Sequence, residues 1–289
     1  MILVTGGTGF VGRSLLRALA VRGLEARPYD GQLNAPYSLR QQLQGVETVI
    51  HLASAERNGR VRRLHQVDVE GSTRLLEEAE RANINHFIYL SHLAADPNTY
   101  YPAFRAKGQV EQRLRDSKLP TTILRSATLF GRDDHFLHTI ASLAYWSWPF
   151  VWLPDAGSAL FQPLWVEDLV RCLVAISDPL DLQGYRGQTL TAAGGERLHY
   201  REIVAQVLET SGMSRWPLPI RVPLVRVATR LLFSWHYRPP ITSFFIDKLA
   251  VPEIADLEVV PRTFGFRPSR LSQHLTTLRQ PGLARRVFR

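Results

Sequence analysis

The sequence predicts an α/β fold, a doubly wound parallel sheet with a smaller C-terminal lobe. Three observations predict it: strand and helix patterns alternate through the first two-thirds of the 289 residues, a glycine-rich turn follows the first strand at once, and each helix-to-strand turn is short. Residues 1–5 (MILVT) form a short apolar strand, 10–22 a helix and 47–53 (ETVIHLA) a second clear strand. A helix over 67–82 follows, then a strand over 86–91 (HFIYLS), a helix over 106–117 and a strand over 121–127 (TTILRSA). Beyond Gly131 the alternation breaks at an aromatic stretch, 145–153 (YWSWPFVWL), ahead of a helix over 166–176 and a strand-like 188–192. The last hundred residues read as a helix over 200–211, a strongly apolar one over 223–236, a break at Pro239-Pro240 and a basic tail at 284–289.

Composition narrows the class. At 45% hydrophobic and 21% charged the chain is globular rather than disordered. A lone cysteine, Cys172, excludes an intramolecular disulfide and a CxxC redox pair. No apolar run approaches the roughly 20 residues that span a bilayer, and no leader pattern precedes the glycine turn, so a cytoplasmic protein is expected. The net charge of +9 comes almost wholly from arginine, lysine occurring only at 107, 118 and 248. Such a surface meets nucleic acid, anionic lipid or an acidic partner, or reflects a codon bias toward arginine. With no nucleic-acid motif beside the charge, nucleic acid is not expected.

The strongest chemical signal is Gly6-Gly7-Thr8-Gly9-Phe10-Val11-Gly12, placed between the first strand and a helix. Gly6 permits a tight turn, Gly9 lets backbone approach a pyrophosphate, Gly12 lets helix and strand pack closely, and the helix N-terminus favours anionic phosphate. This is the context a Rossmann-type dinucleotide site requires. Residues 1–185 are therefore expected to form the NAD(P)-binding domain, with 131–160 contributing to a substrate cleft, and 186–289 a substrate or partner lobe.

The TGGTGFVG spelling, with glycines spaced GxxGxxG, resembles the extended and atypical short-chain dehydrogenases/reductases of the epimerase/dehydratase kind. The resemblance continues through VIHLAS at 49–54, FIYLS at 87–91, Lys107 with Glu111 four residues on, LRSATLFG at 124–131 and QPLWVEDL at 162–169. It carries a dinucleotide site over to Gly6, Thr8, Gly9, Phe10, Val11 and Gly12, to Leu52, Ala53 and Ser54, and to Lys107. In that family a serine closing the FIYLS strand orients the substrate carbonyl, a tyrosine is the acid, and a lysine four residues later lowers its pKa and holds the nicotinamide ribose. Ser91 and Lys107 fit.

Two departures matter. Four residues before Lys107 stands Ala103, which can neither donate nor accept a proton. Tyr100 and Tyr101 lie close, and Tyr101-x-x-x-Arg105 has the spacing with arginine for lysine, a register in which Lys107 would lose its role. Upstream, Gly23–Asp30 runs directly into Gly31-Gln32-Leu33-Asn34, as though one strand-helix unit were missing. Asp30 is then the ribose carboxylate that favours NAD over NADP, or the segment belongs to a later strand and Gln32 stands where relatives carry an aspartate near the adenine.

The kept lysine without its tyrosine, QPLWVEDL, and the ending from Pro239-Pro240-Ile241-Thr242 to Phe264-Gly265-Phe266-Arg267-Pro268 resemble the branch holding the nucleotide-binding accessory subunit of respiratory complex I and its bacterial relatives. That branch implies cofactor binding with little or no turnover, often beside a membrane complex. The alternative is an active reductase, epimerase or dehydratase using Tyr101. His135 and His138 after Asp133 and Asp134 read as a loop-to-helix junction rather than a metal site. In 224–235, Arg226 and Arg230 share one helix face while Leu224, Val227, Leu231 and Leu232 crowd the other, a pattern of a membrane-surface helix or of a plain core helix.

Overall fold

The computed structural model of the chain describes residues 1–56, 61–179, 182–233 and 242–276. Of these, 1–56, 61–126 and 166–192 form one compact unit, and 127–165 with 193–276 a second.

The first unit opens with β1 (Ile2–Thr5), buried at every position, and α1 (Phe10–Val21), which buries Leu15 and Leu19 one turn apart. β2 (Ala26–Pro28), α2 (Pro36–Leu43) and β3 (Thr48–His51) follow. One continuous helical stretch then runs through α3 (Val61–Leu64), a π-helical segment His65–Gly71 and α4 (Ser72–Arg81). β4 (His86–His92), α5 (Pro102–Asp116) and β5 (Thr121–Ser126) complete the alternation. The chain enters the second unit through β6 (Leu129–Phe130), α6 (Phe136–Trp146), β7 (Phe150–Pro154), β8 (Leu160–Phe161) and β9 (Leu164–Trp165). It returns to the first with α7 (Val166–Ser177), α8 (Leu182–Tyr185) and β10 (Thr189–Ala192). β11 (Leu198–His199), α9 (Tyr200–Thr210), β12 (Trp216–Ile220), α10 (Val222–Phe233), α11 (Ser243–Lys248) and α12 (Val259–Phe264) belong to the second.

Six strands of the first unit form one parallel sheet in the order β10-β5-β4-β3-β1-β2. β1 is flanked by β2 on one side and by β3 on the other, Ile2 lying opposite both Ala26 and Thr48. The chain thus reverses its direction of travel across the sheet at β1, and in open parallel sheets the crevice at the carboxyl ends of the strands at such a reversal is where ligands bind. α7 packs on α1, and Ser14 Oγ donates to Glu167 Oε1 at 2.8 Å.

Two elements differ from the sequence reading. Between the first helix and the strand read at 47–53 stand a three-residue strand, β2, which is the edge of the sheet with no strand beyond it among the described residues, and a helix, α2, started by Pro36 at its first turn and anchored by buried Leu39 and Leu43. β2 is too short and too exposed to leave a period-two pattern. α5 begins at Pro102, four residues ahead of expectation, because a proline at the first helical position needs no N–H partner.

The second unit packs Phe136, Phe161, Tyr200, Ile203 and Phe245 into its own core. Within it β7 and β12 pair in parallel, Phe150 opposite Trp216 and Trp152 opposite Leu218. In α10 the inward residues are Val222 and Val225, Arg226 pairs with Asp247 at 2.9 Å, and Leu224 and Val227 are exposed. Of the apolar face read from the sequence, Leu224 and Val227 are thus open to solvent, not packed in the core. Burial holds the Asp247 carboxyl up at about 6 even with Arg226 beside it, so the pair is an inward one. The side chains of Arg230, Leu231 and Leu232 lie outside the described residues, as do 234–241 and the tail 284–289. No helix among the described residues is long and apolar enough to cross a membrane.

Gly108 of α5 lies under the loop before the helix: a Cβ there would stand 2.3 Å from Pro97 N and 2.4 Å from the Asp96 carbonyl carbon. Backbone has little freedom to retreat, so Gly108→Ala is expected to lower unfolding free energy by about 1–3 kcal/mol in a denaturant titration. An unchanged midpoint would show that the loop gives way freely.

Candidate functional site

The glycine turn is fixed by close backbone approach. Gly6 has φ +70°, and a Cβ on it would lie 2.8 Å from Ala53 N. A Cβ on Gly12 would lie 2.3 Å from the Gly6 carbonyl oxygen and 2.6 Å from Gly7 Cα, so Gly12 packs α1 against the turn itself rather than against the strand. Gly9 N–H donates to Gly6 O at 2.9 Å, and Gly9 becomes the N-cap of α1 with extended backbone. No side chain caps this helix and its first turn carries no acid. The leading N–H groups of Phe10, Val11 and Gly12 are therefore left for an anion.

Beside this turn lies a cleft of about 650 Å³, wholly within the first unit. Its floor is Thr5, Gly6, Gly7 and Thr8, with Ala53 at the end of β3. One wall is the β2–α2 loop, Tyr29, Gly31, Gln32, Leu33 and Asn34. The other is the α3–π–α4 stretch, with Arg63, Gln66, Val67, Glu70 and Arg74. Arg74 Nη1 donates to Asn34 O at 3.3 Å, tying the two walls together. Gln32, and not Asp30, is among the lining residues; Asp30 is exposed, and its N–H donates to Gln42 Oε1 at 3.1 Å. The volume and the glycine floor fit a dinucleotide, with diphosphate on the helix N-terminus.

Beneath the floor runs a buried polar chain. Thr5 Oγ1 accepts from Ala53 N–H at 3.4 Å and lies 2.5 Å from His51 Nδ1, while His51 Nε2 lies 2.7 Å from Ser72 Oγ. With the Thr5 hydroxyl donating to Nδ1, the imidazole carries its proton on Nε2 and donates to Ser72. Complete burial, reinforced by the Lys107 charge, pushes His51 down to about 3, so it is neutral at physiological pH. Asp68, in the π-helical segment, accepts from Ser54 Oγ at 2.5 Å and Ala55 N–H at 2.8 Å and so pins the chain leaving β3. Burial raises its pKa to about 6, against the downward pull of Lys107 and of the Ser54 and Ala55 hydrogen bonds.

Of the residues expected to be catalytic, Ser91 and Lys107 are held by different partners. Ser91 Oγ donates to the buried Glu111 at 2.6 Å, and Glu111 also accepts from Arg115 at 2.6 Å and Arg125 at 2.5 Å. Lys107 turns elsewhere: its Nζ donates to Leu90 O at 3.4 Å, lies 3.9 Å from Glu56 Oε2 and 5.7 Å from the Tyr89 ring centre. Tyr101 is the N-cap of α5, ahead of the helix, and packs edge-on to Phe104 and Tyr100. Ala103 is buried on the helix and Tyr100 is exposed. Leu52 N–H donates to Thr5 O, so it serves as backbone between β3 and the cleft. His138 faces Asp134 at 3.6 Å while Asp134 caps α6 through Leu137 N–H; among the described residues no group of three metal-ligating side chains occurs.

The pattern of the NAD dependent epimerase/dehydratase family matches residues 2–184. The chain belongs to that family. It is 26% identical to the 2-alkyl-3-oxoalkanoate reductase of Stenotrophomonas maltophilia, over 92% of this chain and 94% of that one. It is also 26% identical to the mitochondrial NADH-ubiquinone oxidoreductase 40 kDa subunit of Neurospora crassa, over 69% of this chain but 59% of that subunit's length. The fold is shared with UDP-glucuronic acid 4-epimerase of Bacillus cereus, solved with UDP-glucuronic acid and NAD, at TM-score 0.72, 18% identity and coverage of 96% and 97%.

Sequence reasoning missed His51, Asp68 and the helical wall of the cleft. A signal for Asp68 was present: it is the one carboxylate in the stripe Leu64, Asp68, Ser72, Leu75, whose other members are apolar or small. Since the folded carboxyl titrates at about 6 against 3.8 when free, the folded chain takes up its proton first on acidification. Asp68 thus costs stability at neutral pH, and the cost is relieved as pH falls through about 6. The stability of the native chain relative to Asp68→Asn should therefore rise by on the order of 1 kcal/mol between about pH 7.5 and about pH 5. A difference independent of pH, measured by urea titration, would contradict this placement of the charge.

Proposed function

We propose that the chain binds NAD or NADP at the glycine turn and holds it with little or no turnover, as a nucleotide-binding subunit or sensor peripheral to a membrane respiratory complex. The observation that carries the reading is Ala103, buried four residues before Lys107, where a proton donor is needed. Ser91 adds to it, since its hydroxyl proton is committed to Glu111. The dinucleotide supplies hydride chemistry when bound; this chain's residues bind and orient it. Gly6, Thr8, Gly9, Phe10, Val11 and Gly12 would take the diphosphate, the loop from Tyr29 to Asn34 the adenosine, and Ala53 would bound the floor between them. Lys107 compensates Glu56 and Asp68 electrostatically. The similarity to the N. crassa oxidoreductase subunit supports placement beside such a complex.

Two observations favour a catalytic reading: Tyr101 precedes α5 rather than lying on its buried face, and a similar chain is named as a reductase. The two readings separate in one experiment. Calorimetry should detect NADH or NADPH binding that Gly9→Val abolishes, because a branched side chain would fill the phosphate cradle. Mixed with aldehydes and ketones, the bound reduced nicotinamide should keep its absorbance, in the native chain and in Tyr101→Phe alike. Loss of absorbance that depends on the carbonyl and slows by about 10²-fold or more in Tyr101→Phe would establish the enzyme instead.

A further inference from the structure

The aromatic stretch of the sequence ends up on the surface of the second unit. Trp148 is 73% exposed, Trp216 67% and Trp146 64%, with Phe150, Trp152 and Leu218 also open to solvent. The β7–β12 ribbon explains part of this, since residues along a strand alternate between faces. Val151 and Leu153 point into the core, leaving Phe150 and Trp152 on the opposite face, and Trp216 and Leu218 stand across from them in register. The Phe150 and Trp216 rings meet edge to face at 6.1 Å. The turn after α6 is held at the same end of the ribbon, because Trp216 N–H donates to Pro149 O at 3.0 Å and Arg215 Nε to Ala144 O at 2.7 Å. The turn that carries Trp146 and Trp148 is thus joined to the strand that carries Trp216. So many exposed aromatic side chains on one ribbon and its adjoining turn are uncommon on a protein that meets only water.

Its chemistry points to one occupant. The surface is dominated by indoles, whose apolar body and polar N–H suit the boundary between lipid headgroups and acyl chains. Basic side chains flank the ribbon, Arg215 just before β12 and Arg221 after its end, where Asp155 accepts from the Val222 N–H at 3.2 Å. Arg221, at the end of β12, is exposed. Arginines beside exposed indoles suit an anionic leaflet. We propose that the β7–β12 ribbon, with the turn carrying Trp146 and Trp148, is the surface by which this protein docks on an anionic bilayer. The inference rests on the peripheral membrane placement proposed above and names the residues that make the contact.

The test uses the full chain with vesicles of phosphatidylcholine alone and of phosphatidylcholine with phosphatidylglycerol. Co-sedimentation should favour the anionic vesicles, and brominated acyl chains should quench tryptophan fluorescence. The exposed double substitution Trp148→Ser/Trp216→Ser should lower anionic partitioning at least about tenfold, and Arg221→Glu about fivefold or more. Both should leave dinucleotide affinity and the unfolding midpoint unchanged. Anionic partitioning that persists in the double variant without bromolipid quenching overturns the ribbon while leaving peripheral placement standing. Absence of partitioning to any vesicle overturns bilayer docking and peripheral binding to lipid together, with the dinucleotide reading judged separately by calorimetry. Equal partitioning to neutral vesicles overturns the assignment to anionic lipid.

Discussion

The constraint on which the rest of the first unit depends is the approach of three backbone segments at the glycine turn. Gly6, Gly12 and Ala53 are brought so near that a single added methyl would overlap main-chain atoms. Main chain has no rotamer into which to retreat, so these contacts set the spacing of β1, α1 and the end of β3 together. That spacing aims the free N–H groups of α1 into the crevice where the sheet order reverses. The buried chain from Thr5 through His51 to Ser72 then locks β1 and β3 to α4 from below, with a neutral imidazole that satisfies both hydroxyls and adds no charge.

Charge beneath and beside the cleft is gathered into buried, mutually compensating groups. Glu111 gathers Ser91, Arg115 and Arg125 in a buried network, and removing one partner of such a group leaves a charge uncompensated. Lys107 serves a second set, facing Glu56 and lowering the cost of the buried Asp68. In each case a side chain that the sequence marks as a candidate site residue also ties neighbouring elements together.

Much of this was legible in the sequence for physical reasons. Strands buried on both faces give short unbroken apolar runs, and a glycine turn between strand and helix carries its own spelling, so the sheet and the phosphate end of the cleft could be read directly. β2 was not legible, because three half-exposed residues ending in proline leave no periodicity. The orientation of α10 was not either: the sequence leaves a membrane-surface and a core helix open, and Arg226 turns inward only because Asp247, 21 residues along the chain, supplies a buried partner. Ser91 illustrates the same limit, since its identity was visible but the Glu111 that claims its proton comes from another element. The choice between Asp30 and Gln32 turned on which way one loop faces, and it is Gln32 that lines the cleft.

The most direct measurement is a crystal structure of the protein soaked with reduced dinucleotide. The account predicts the diphosphate on the N–H groups of Phe10 and Val11, the adenosine between Tyr29 and Asn34, and no tyrosine hydroxyl within hydrogen-bond reach of the nicotinamide. Dinucleotide bound away from the glycine turn, no binding at saturating concentration, or the Tyr101 hydroxyl swung against the nicotinamide would contradict it.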